Sequence, residues 1–386
     1  MHISEEQQLL IDSINKLCSQ FSLEYWRERD IDGEFPEAFY RAIADAGWLG
    51  VVIPERFGGA GLGISEAALM MQTVAQSGAG LSGASAIHMN IFGLNPVVVH
   101  GTEAQQERFL PPLIAGKEKS CFGVTEPDAG LNTTQLKTLA VRHGDEYRVN
   151  GQKIWTSTAQ VAHKILLLAR TTPLEDVRRA TDGLSLFYTD FDRDRIEVRE
   201  IEKMGRKAVD SNQIFIDDLR VPVEDRIGEE GQGFRYILHG LNPERILIAA
   251  ESVGLGHAAL ARAVDYAKER EVFGRPIGQN QGIQHPLAKA WMNLEAARLM
   301  ALHAADKYDR GEPCGAEANS AKYLAAEAGH EACETAILTH GGMGYAKEYH
   351  VERFLRESYI PRIAPVSREL IFCHVAEKVL GLPKSY

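Results

Sequence analysis

Cysteine is scarce in this sequence, and the few cysteines are scattered along it. The 386 residues contain five of them, without a Cys-x-x-Cys pair: Cys18, Cys121, Cys314, Cys333 and Cys373. An odd number at such spacing indicates neither a disulfide framework nor a structural zinc site. Because free thiols persist in a reducing compartment, we expect a cytoplasmic protein.

Positive charge and long apolar runs are also lacking. There are 42 lysines and arginines against 53 acidic residues, a net charge of -11, and the basic residues form no cluster. Such a surface cannot neutralise a run of phosphates, which excludes nucleic acid as a partner. No apolar run approaches the roughly 20 residues that span a bilayer, and the first residues lack the features of a secretion signal. The sequence therefore predicts a soluble protein with no membrane partner.

Three familiar catalytic patterns are missing as well. The glycines at 58, 59, 61 and 63 do not have the spacing of a dinucleotide fingerprint, and a helical pattern surrounds them. No Gly-x-Ser-x-Gly elbow occurs. His330 and His340 have no third ligand at metal spacing, so we expect no metal site.

The hydrophobic pattern divides the chain into three parts. Residues 1–118 have helical spacing, with Phe39 and Ile43 on one face. Near residue 120 the pattern changes to alternation, and Asn150-Gly151 has the composition of a hairpin turn. Strand-like segments then follow without amphipathic helices between them, which favours an antiparallel sheet or barrel over residues 119–230.

Helical periodicity returns over residues 231–386. Leu287, Trp291 and Leu294 are spaced to share a face, and a long alanine-rich stretch follows them. This pattern is typical of a helix bundle. The predicted fold class is therefore α+β, mainly α, with an N-terminal helical domain, a middle antiparallel β-domain and a C-terminal four-helix bundle.

Three segments occur in the order and at the separations of one enzyme family. Together they extend over most of the chain, and on them the sequence resembles the acyl-CoA dehydrogenases. The helix, strand, helix order agrees with the fold of that family. The segments are Gly123–Gly130 (GVTEPDAG) followed by Trp155-Thr-Ser, Arg270–Ile277 (REVFGRPI), and His340–Tyr345 (HGGMGY) continuing through Glu348, Arg353 and Glu357.

The resemblance implies a flavoprotein that oxidises an acyl-CoA thioester in fatty acid metabolism, with FAD as cofactor. Electrons would pass to an electron-transfer flavoprotein. The family completes its FAD site with a neighbouring subunit, so the resemblance also implies a homotetramer built as a dimer of dimers. A flavin that accepts hydride needs hydrogen-bond donors at N1 and its carbonyl oxygens, which small polar groups and backbone N–H groups supply.

The resemblance assigns cofactor contacts to residues in all three segments and near the carboxyl end. Glycines at 341 and 342 would let the backbone approach the phosphates closely. The assigned residues are Phe122, Val124, Thr125, Trp155, Thr156, Ser157, Arg270, Phe273, Gln281, Leu338, His340, Gly341, Gly342, Ser367 and Glu369. Substrate contacts are assigned to Leu131, Asn242 and Arg245.

The reaction needs a carboxylate to remove the acidified α proton. In many family members a glutamate does so near the carboxyl end, but the matching position here is Pro365. Isovaleryl-CoA and long-chain acyl-CoA dehydrogenases carry it earlier, in a segment ending Glu-Arg, which Glu244-Arg245 matches. Glu244 would share an apolar helical face with Ile237 and Leu241. We predict that Glu244 is the base.

Pro365 has a second consequence. In the family, the backbone N–H at this position polarises the thioester carbonyl, and proline has no N–H. A shifted loop could supply another amide; otherwise the substrate is acidified less or the reaction differs. Beside it, Ala364 stands where straight-chain enzymes often place a tyrosine, so a branched or bulky acyl group is expected.

Two other functions remain open from the sequence. The first is altered chemistry on the same fold, as in an enoyl-CoA reductase, a desulfinase or an oxidase. The second is a flavoprotein that lost catalysis together with the usual glutamate. Anaerobic reduction of the flavin by candidate acyl-CoAs separates a dehydrogenase from a desulfinase, and rapid reoxidation by oxygen would mark an oxidase. A colourless protein unable to bind FAD would favour a scaffold without catalysis.

Overall fold

The N-terminal part of the chain is helical. The computed structural model describes residues 3–91 and 93–385. The first helix begins after Ser4, whose side chain accepts a hydrogen bond from the Gln7 backbone N–H in a capping box. Its residues Leu10, Ile14 and Leu17 are buried. The helices are α1 (Glu5–Cys18), α2 (Leu23–Asp32), α3 (Glu37–Asp45), α4 (Ile64–Val74), α5 (Gly80–Ile91), α6 (Asn95–His100) and α7 (Glu103–Ile114).

The middle part is a twisted sheet whose strand order is β6-β7-β3-β2-β4-β5-β8, with β1 added beside β4. Most pairs are antiparallel, as the sequence predicts, but β1 runs parallel to β4 and β2 meets β4 in a parallel pair. The strands are β1 (Ser120–Gly123), β2 (Leu139–His143), β3 (Glu146–Ser157), β4 (Lys164–Arg170), β5 (Leu184–Asp190), β6 (Ile196–Glu200), β7 (Ser211–Pro222) and β8 (Arg226–Ile227).

The turn predicted at Asn150-Gly151 is wrong. These two residues lie inside β3, where the register with β7 shifts, so they form a bulge rather than a hairpin end. The chain reverses instead between β2 and β3 at Gly144, which has a φ of 65°. Position 151 requires glycine because a β-carbon there would lie only 2.4 Å from the Thr138 side-chain oxygen.

The C-terminal part is again helical. The long helices α9, α10 and α11 pack side by side, and α4 packs against α9. A β-carbon at Gly256 in α9 would lie 3.1 Å from the Cα of Gly329 in α11, so the two backbones meet closely there. The elements are α8 (Gly233–His239), α9 (Leu241–Glu269), β9 (Glu271–Val272), β10 (Arg275–Pro276), α10 (Gln281–Asp309), α11 (Gly315–His340), α12 (Val351–Glu357), α13 (Ile360–Ile363) and α14 (Arg368–His374).

Two details of the predicted bundle differ. Leu287 and Leu294 are buried, but Trp291 between them is 54% exposed, because it lies at the outer edge of their stripe. The helix expected to run through residues 237–248 ends at His239 and begins again at Leu241. Glu244 therefore lies in the first turn of α9, and Ile237 belongs to the preceding helix.

One helical stretch among the described residues, Gly233–Glu269, is long and apolar enough to cross a membrane. Of its most apolar window, 78% is buried inside the fold. This stretch, which comprises α8 and α9, accordingly forms the core of the bundle.

Candidate active site

The two parts of the first predicted cofactor segment, Gly123–Gly130 and the Trp155–Ser157 stretch, meet at the ends of β1 and β3. The Ile154 backbone N–H donates to the Thr125 carbonyl at 2.9 Å, and the Lys153 ammonium donates to the Val124 carbonyl at 3.1 Å. Phe122, Val124 and Thr125 are half-buried along this edge. The structure thus brings together segments that are some thirty residues apart in sequence.

A buried ion pair holds this loop in place. Glu126 accepts hydrogen bonds from the Lys153 ammonium and the Thr138 N–H, each at 2.9 Å, and from the Lys137 N–H at 2.6 Å. Burial lowers the pKa of Lys153 to about 8, although Glu126 opposes the shift. This pair was not predictable from the sequence, since an acid and a lysine so far apart give no local signal.

At the end of β3, the Trp155 side chain is exposed and the neighbouring Thr156 has a buried hydroxyl. Trp155 is 58% exposed and has a φ of 61°, which turns the chain outward. The Thr156 hydroxyl is buried and has no hydrogen-bond partner among the described residues. Ser157 accepts a hydrogen bond from Arg206 at 2.9 Å. A buried hydroxyl beside an exposed indole is what a planar, hydrogen-bonding ring would satisfy.

Glu244 lies half-buried in the first turn of α9. Among the described residues, its carboxylate forms no hydrogen bond and no ion pair within 4.0 Å. Burial raises the pKa of Glu244 to about 7, while the charges of His88 and Arg245 partly oppose the shift. A carboxyl group with a pKa near neutrality is suited to accept a proton at physiological pH.

Two cationic side chains lie close to Glu244. Arg245 donates to the Asn242 side chain at 3.0 Å, and its Nε is buried without a partner among the described residues. Lys322 in α11 is buried and donates to the Val366 carbonyl at 2.6 Å. Burial lowers the pKa of Lys322 to about 8. The structure therefore places Arg245 beside Asn242, with Lys322 also close to Glu244. The assignment of Asn242 and Arg245 to the substrate stays a prediction.

A cavity of about 290 Å³ opens beside Arg245. Its lining includes Asn319, Val366, His374 and Lys378. Cationic groups around a cavity of this size suit a phosphate-bearing ligand. Of the predicted substrate contacts, Arg245 lines this cavity, together with Val366 from the loop that carries Pro365.

The loop around Pro365 separates α13 from α14. Ala364 is exposed, Pro365 is half-buried and Val366 is buried. Ser367 caps α14 by accepting from the Leu370 N–H at 3.3 Å, and Glu369 is exposed and paired with Arg368. Within one chain, Ser367 and Glu369 therefore have local roles only.

The remaining predicted cofactor residues lie on the outer surface. Phe273 is fully exposed at the tip of the β9–β10 hairpin, and Arg270 and Gln281 flank it, also exposed. Leu338, Gly341 and Gly342 are exposed, and a β-carbon at either glycine would meet nothing within 4 Å. The structure does not bring this group to Trp155 within one chain.

The two remaining predicted site residues are His340, which is buried, and Leu131, which is exposed. His340 is buried and stacks on Tyr266 with ring centroids 4.3 Å apart. Leu131, which follows Gly130 in sequence, is 59% exposed. Within residues 3–91 and 93–385, no group of three or more His, Cys, Asp or Glu residues is arranged to hold a metal ion.

Three stretches of the chain match family domains. Residues 4–117, 121–219 and 231–380 match the N-terminal, middle and C-terminal domains of acyl-CoA dehydrogenase. The chain is 37% identical over 389 residues to acyl-CoA dehydrogenase FadE12 of Mycobacterium tuberculosis, covering 99% of this chain and 98% of that protein. It is 34% identical to the caffeyl-CoA reductase-Etf complex subunit CarC of Acetobacterium woodii, over 92% of this chain and 93% of that one.

A solved structure gives the same result. Butyryl-CoA dehydrogenase from Megasphaera elsdenii superimposes with a TM-score of 0.93 at 29% identity, covering 98% of this chain and 99% of that one. The order of helices, strands and helices is therefore shared along almost the full length.

Proposed function

The chain belongs to the acyl-CoA dehydrogenase family, and from this premise we propose that it removes a proton and a hydride from neighbouring carbons of an acyl-CoA, with Glu244 as the base. It is an oxidoreductase acting on CH–CH bonds. The observation that carries the proposal is Glu244 itself, which has no ion partner among the described residues and a pKa raised to about 7 by burial.

The cofactor of this family is FAD, which accepts a hydride at its flavin ring when bound. The residues at the end of β3 fit such a ring, because the Thr156 hydroxyl is buried without a partner and Trp155 is exposed beside it. We assign Phe122, Val124, Thr125 and the Trp155–Ser157 stretch to this contact. Ser367 and Glu369 are assigned to the cofactor on the family resemblance.

The chain's own residues would act in sequence around the thioester. Arg245, which lines the cavity beside α9, would hold the CoA part together with its hydrogen-bond partner Asn242, and Leu131 would contact the substrate on the family resemblance. Glu244 would then take the α proton, which its raised pKa allows without a strong energetic penalty. Lys322 donates a hydrogen bond to the Val366 carbonyl and so stabilises the loop in which Pro365 lacks a backbone N–H.

One observation favours a second candidate function. Pro365 removes both the commoner base position and a backbone donor, and one relative is a subunit of a caffeyl-CoA reductase-Etf complex. The same groups operated in reverse would reduce an enoyl-CoA. Reoxidation of the reduced flavin by an enoyl-CoA, faster than its reduction by the matching saturated thioester, would favour this reading.

The name of that relative also supports an electron-transfer flavoprotein as the redox partner. We propose that the chain works with such a partner in the cytoplasm. The exposed apolar side chains of Phe273, Trp291, Leu338 and Tyr345 further support a homo-oligomer, a dimer of dimers, because monomers seldom leave so many large apolar groups in water.

We predict one FAD per chain in a homotetramer, with Arg270, Phe273, Gln281 and the Leu338–Gly342 segment contacting FAD of a neighbouring subunit. Phe273→Asp places a charge on a fully exposed hairpin tip, so the single chain should fold while FAD affinity falls at least tenfold. Sedimentation and flavin absorbance measure both effects. Leu9→Asp, at an exposed site on α1, is the matched control and should change neither. A fully active monomer would refute the assignment.

We also predict a substrate that is branched or bulky near the reacting carbons, because Ala364 leaves room where straight-chain enzymes place a tyrosine. Ala364→Tyr should shift specificity toward straight chains. Steady-state kcat/KM for isovaleryl-, isobutyryl-, butyryl- and hexanoyl-CoA measures the preference. A tenfold higher kcat/KM of the unaltered enzyme for butyryl- or hexanoyl-CoA than for every branched thioester would contradict this prediction. Such a ratio equals about 1.4 kcal/mol in transition-state binding.

A further inference from the structure

A buried histidine–glutamate pair joins α5 to α9. The His88 Nδ1 and a Glu251 carboxylate oxygen are 2.5 Å apart, and both side chains are buried. Burial alone would lower the pKa of His88, but the Glu251 carboxylate and, more weakly, Glu244 raise it. The pair is therefore a hydrogen-bonded histidine and glutamate inside an otherwise apolar helix packing, where polar groups are expensive to bury.

The pair is incomplete on the glutamate side. The second carboxylate oxygen of Glu251 is buried and accepts no hydrogen bond from any described residue. An unsatisfied buried acceptor costs about 1–3 kcal/mol, and more when it carries charge. Such an atom needs a donor, and a bound ligand can supply one.

The orphaned oxygen lies on the same face of α9 as the proposed base. Glu244 and Glu251 are seven residues apart, close to two full helical turns, so they are separated by roughly 10 Å along one face. The charges of His88 and Glu244 affect each other's pKa, which places the pair on the side of α9 that Glu244 faces.

Arg206 ties the same region to the predicted flavin edge. Its guanidinium donates to Ser85 on α5 at 3.2 Å and to Ser157 at the end of β3 at 2.9 Å. Ser85 and His88 are three residues apart on α5 and so share a face. Arg206 therefore links the face of α5 that carries His88 to the end of β3. Burial lowers the pKa of Arg206 and the Glu251 carboxylate opposes this shift, so Glu251 lies near the same guanidinium.

On the basis of the proposed function, we infer that the acyl group of the substrate carries a hydroxyl at the end remote from the thioester, and that Glu251 accepts its hydrogen bond. With the α carbon at Glu244, an acyl chain that follows α9 brings its far end to Glu251. A plain alkyl end would leave the carboxylate unsatisfied, whereas a hydroxyl satisfies it. Sites built to bind a hydroxyl reject the analogue that lacks it far more strongly than apolar pockets reject an extra methylene.

The test compares matched thioesters on the FAD-loaded enzyme. The pairs are hexanoyl-, octanoyl- and decanoyl-CoA with their ω-hydroxy forms, and 3-phenylpropionyl-CoA with its 4-hydroxyphenyl form. Binding is measured by calorimetry and flavin reduction under anaerobic conditions. We expect at least one hydroxylated member to bind and react at least tenfold better than its plain partner.

The double variant His88→Phe, Glu251→Leu replaces the charged pair with apolar groups, a change that buried ion pairs often tolerate. It should lose the preference or reverse it. The matched control is Tyr40→Phe, Asn90→Leu, which removes another buried polar pair of α5, bonded at 2.7 Å, on the side facing α3. The control should keep the preference.

The outcomes separate this inference from the proposed function. Plain and hydroxylated thioesters that bind within twofold of each other would overturn the hydroxyl assignment, because a water molecule would then suffice for Glu251. A preference that survives the His88→Phe, Glu251→Leu change would overturn it too. Tighter binding of hydroxylated thioesters with no flavin reduction by any of them would support the pocket and contradict the dehydrogenation.

Discussion

Glu244→Gln is expected to lower the rate of acyl-CoA oxidation by 10² to 10⁴, the range that general-base catalysis usually contributes, while substrate affinity stays within a few-fold. The amide keeps the shape of the carboxyl group and cannot accept the α proton. Steady-state kcat and calorimetric binding to the same thioester separate the two effects. An unchanged kcat would mean that another group removes the proton.

The pH dependence gives an independent check on Glu244. Because burial raises its pKa to about 7, the rate in the unaltered enzyme should rise with pH up to about 7 and level off above it. The same raised pKa means that the protonated carboxyl favours the folded state, so this contribution to stability is lost as pH rises from about 4.5 through 7. Glu244→Gln should lack the kinetic limb and this part of the pH dependence of unfolding.

A second carboxylate tests why the base lies where it does. Pro365→Glu in the Glu244→Gln background supplies a carboxyl at the commoner family position and restores a backbone N–H there. Partial recovery of the rate, with Pro365→Ala as the control that restores only the N–H, would show that the two positions serve one site. No recovery in either variant would point to a different route for the proton.

Glu357→Leu is expected to destabilise the fold by about 3–5 kcal/mol, since it removes one partner of a buried charged network. Glu357 is fully buried and accepts hydrogen bonds from the Leu81 N–H at 2.6 Å and the Ser82 hydroxyl at 2.7 Å, at the start of α5. Arg353 lies beside it and donates to the Gly78 carbonyl at 2.7 Å. The third sequence motif thus fixes the helix that carries Ser85 and His88.

Thermal unfolding of the FAD-saturated protein measures the effect, and the midpoint should fall by at least about 5 °C. Glu197→Gln, which breaks an exposed pair with Arg199, is the control and should change stability by less than about 1 kcal/mol. The double variant Arg353→Met, Glu357→Leu should lose less than the sum of the two single changes, because neither charge is then left buried alone. A Glu357→Leu midpoint equal to that of the control would show that the network is not needed.

The order of helices, strands and helices was predictable because periodicity is a local property of the sequence. The parallel contact of β1 with β4 was not, since it joins residues more than forty positions apart and has no composition of its own. The Asn150-Gly151 pair was misleading because the same two residues suit a turn and a bulge, and the pairing of β3 with the distant β7 makes them a bulge. The domain boundaries near residues 118 and 230 stay a prediction.

The site was predictable only where a motif carried it. The segments around Thr125 and Trp155 lie side by side in the structure, and burial raises the pKa of Glu244 to about 7. The roles of these residues stay predictions. Lys322, Arg206 and the His88–Glu251 pair were missed. Lys322, His88 and Glu251 are single polar residues on helices, a pattern that more often reflects a satisfied structural contact than a site, and Arg206 lies in the loop before β7. Only the packing of these elements shows what each residue faces.

Single-turnover reduction of the FAD-loaded enzyme by an acyl-CoA, without oxygen, tests the central claim most directly. We expect at least one branched or hydroxylated acyl-CoA to bleach the flavin of the unaltered enzyme, and the rate constant to fall at least 10²-fold in Glu244→Gln with the same thioester. Equal rate constants for the two proteins, or no bleaching by any thioester that binds, would contradict it.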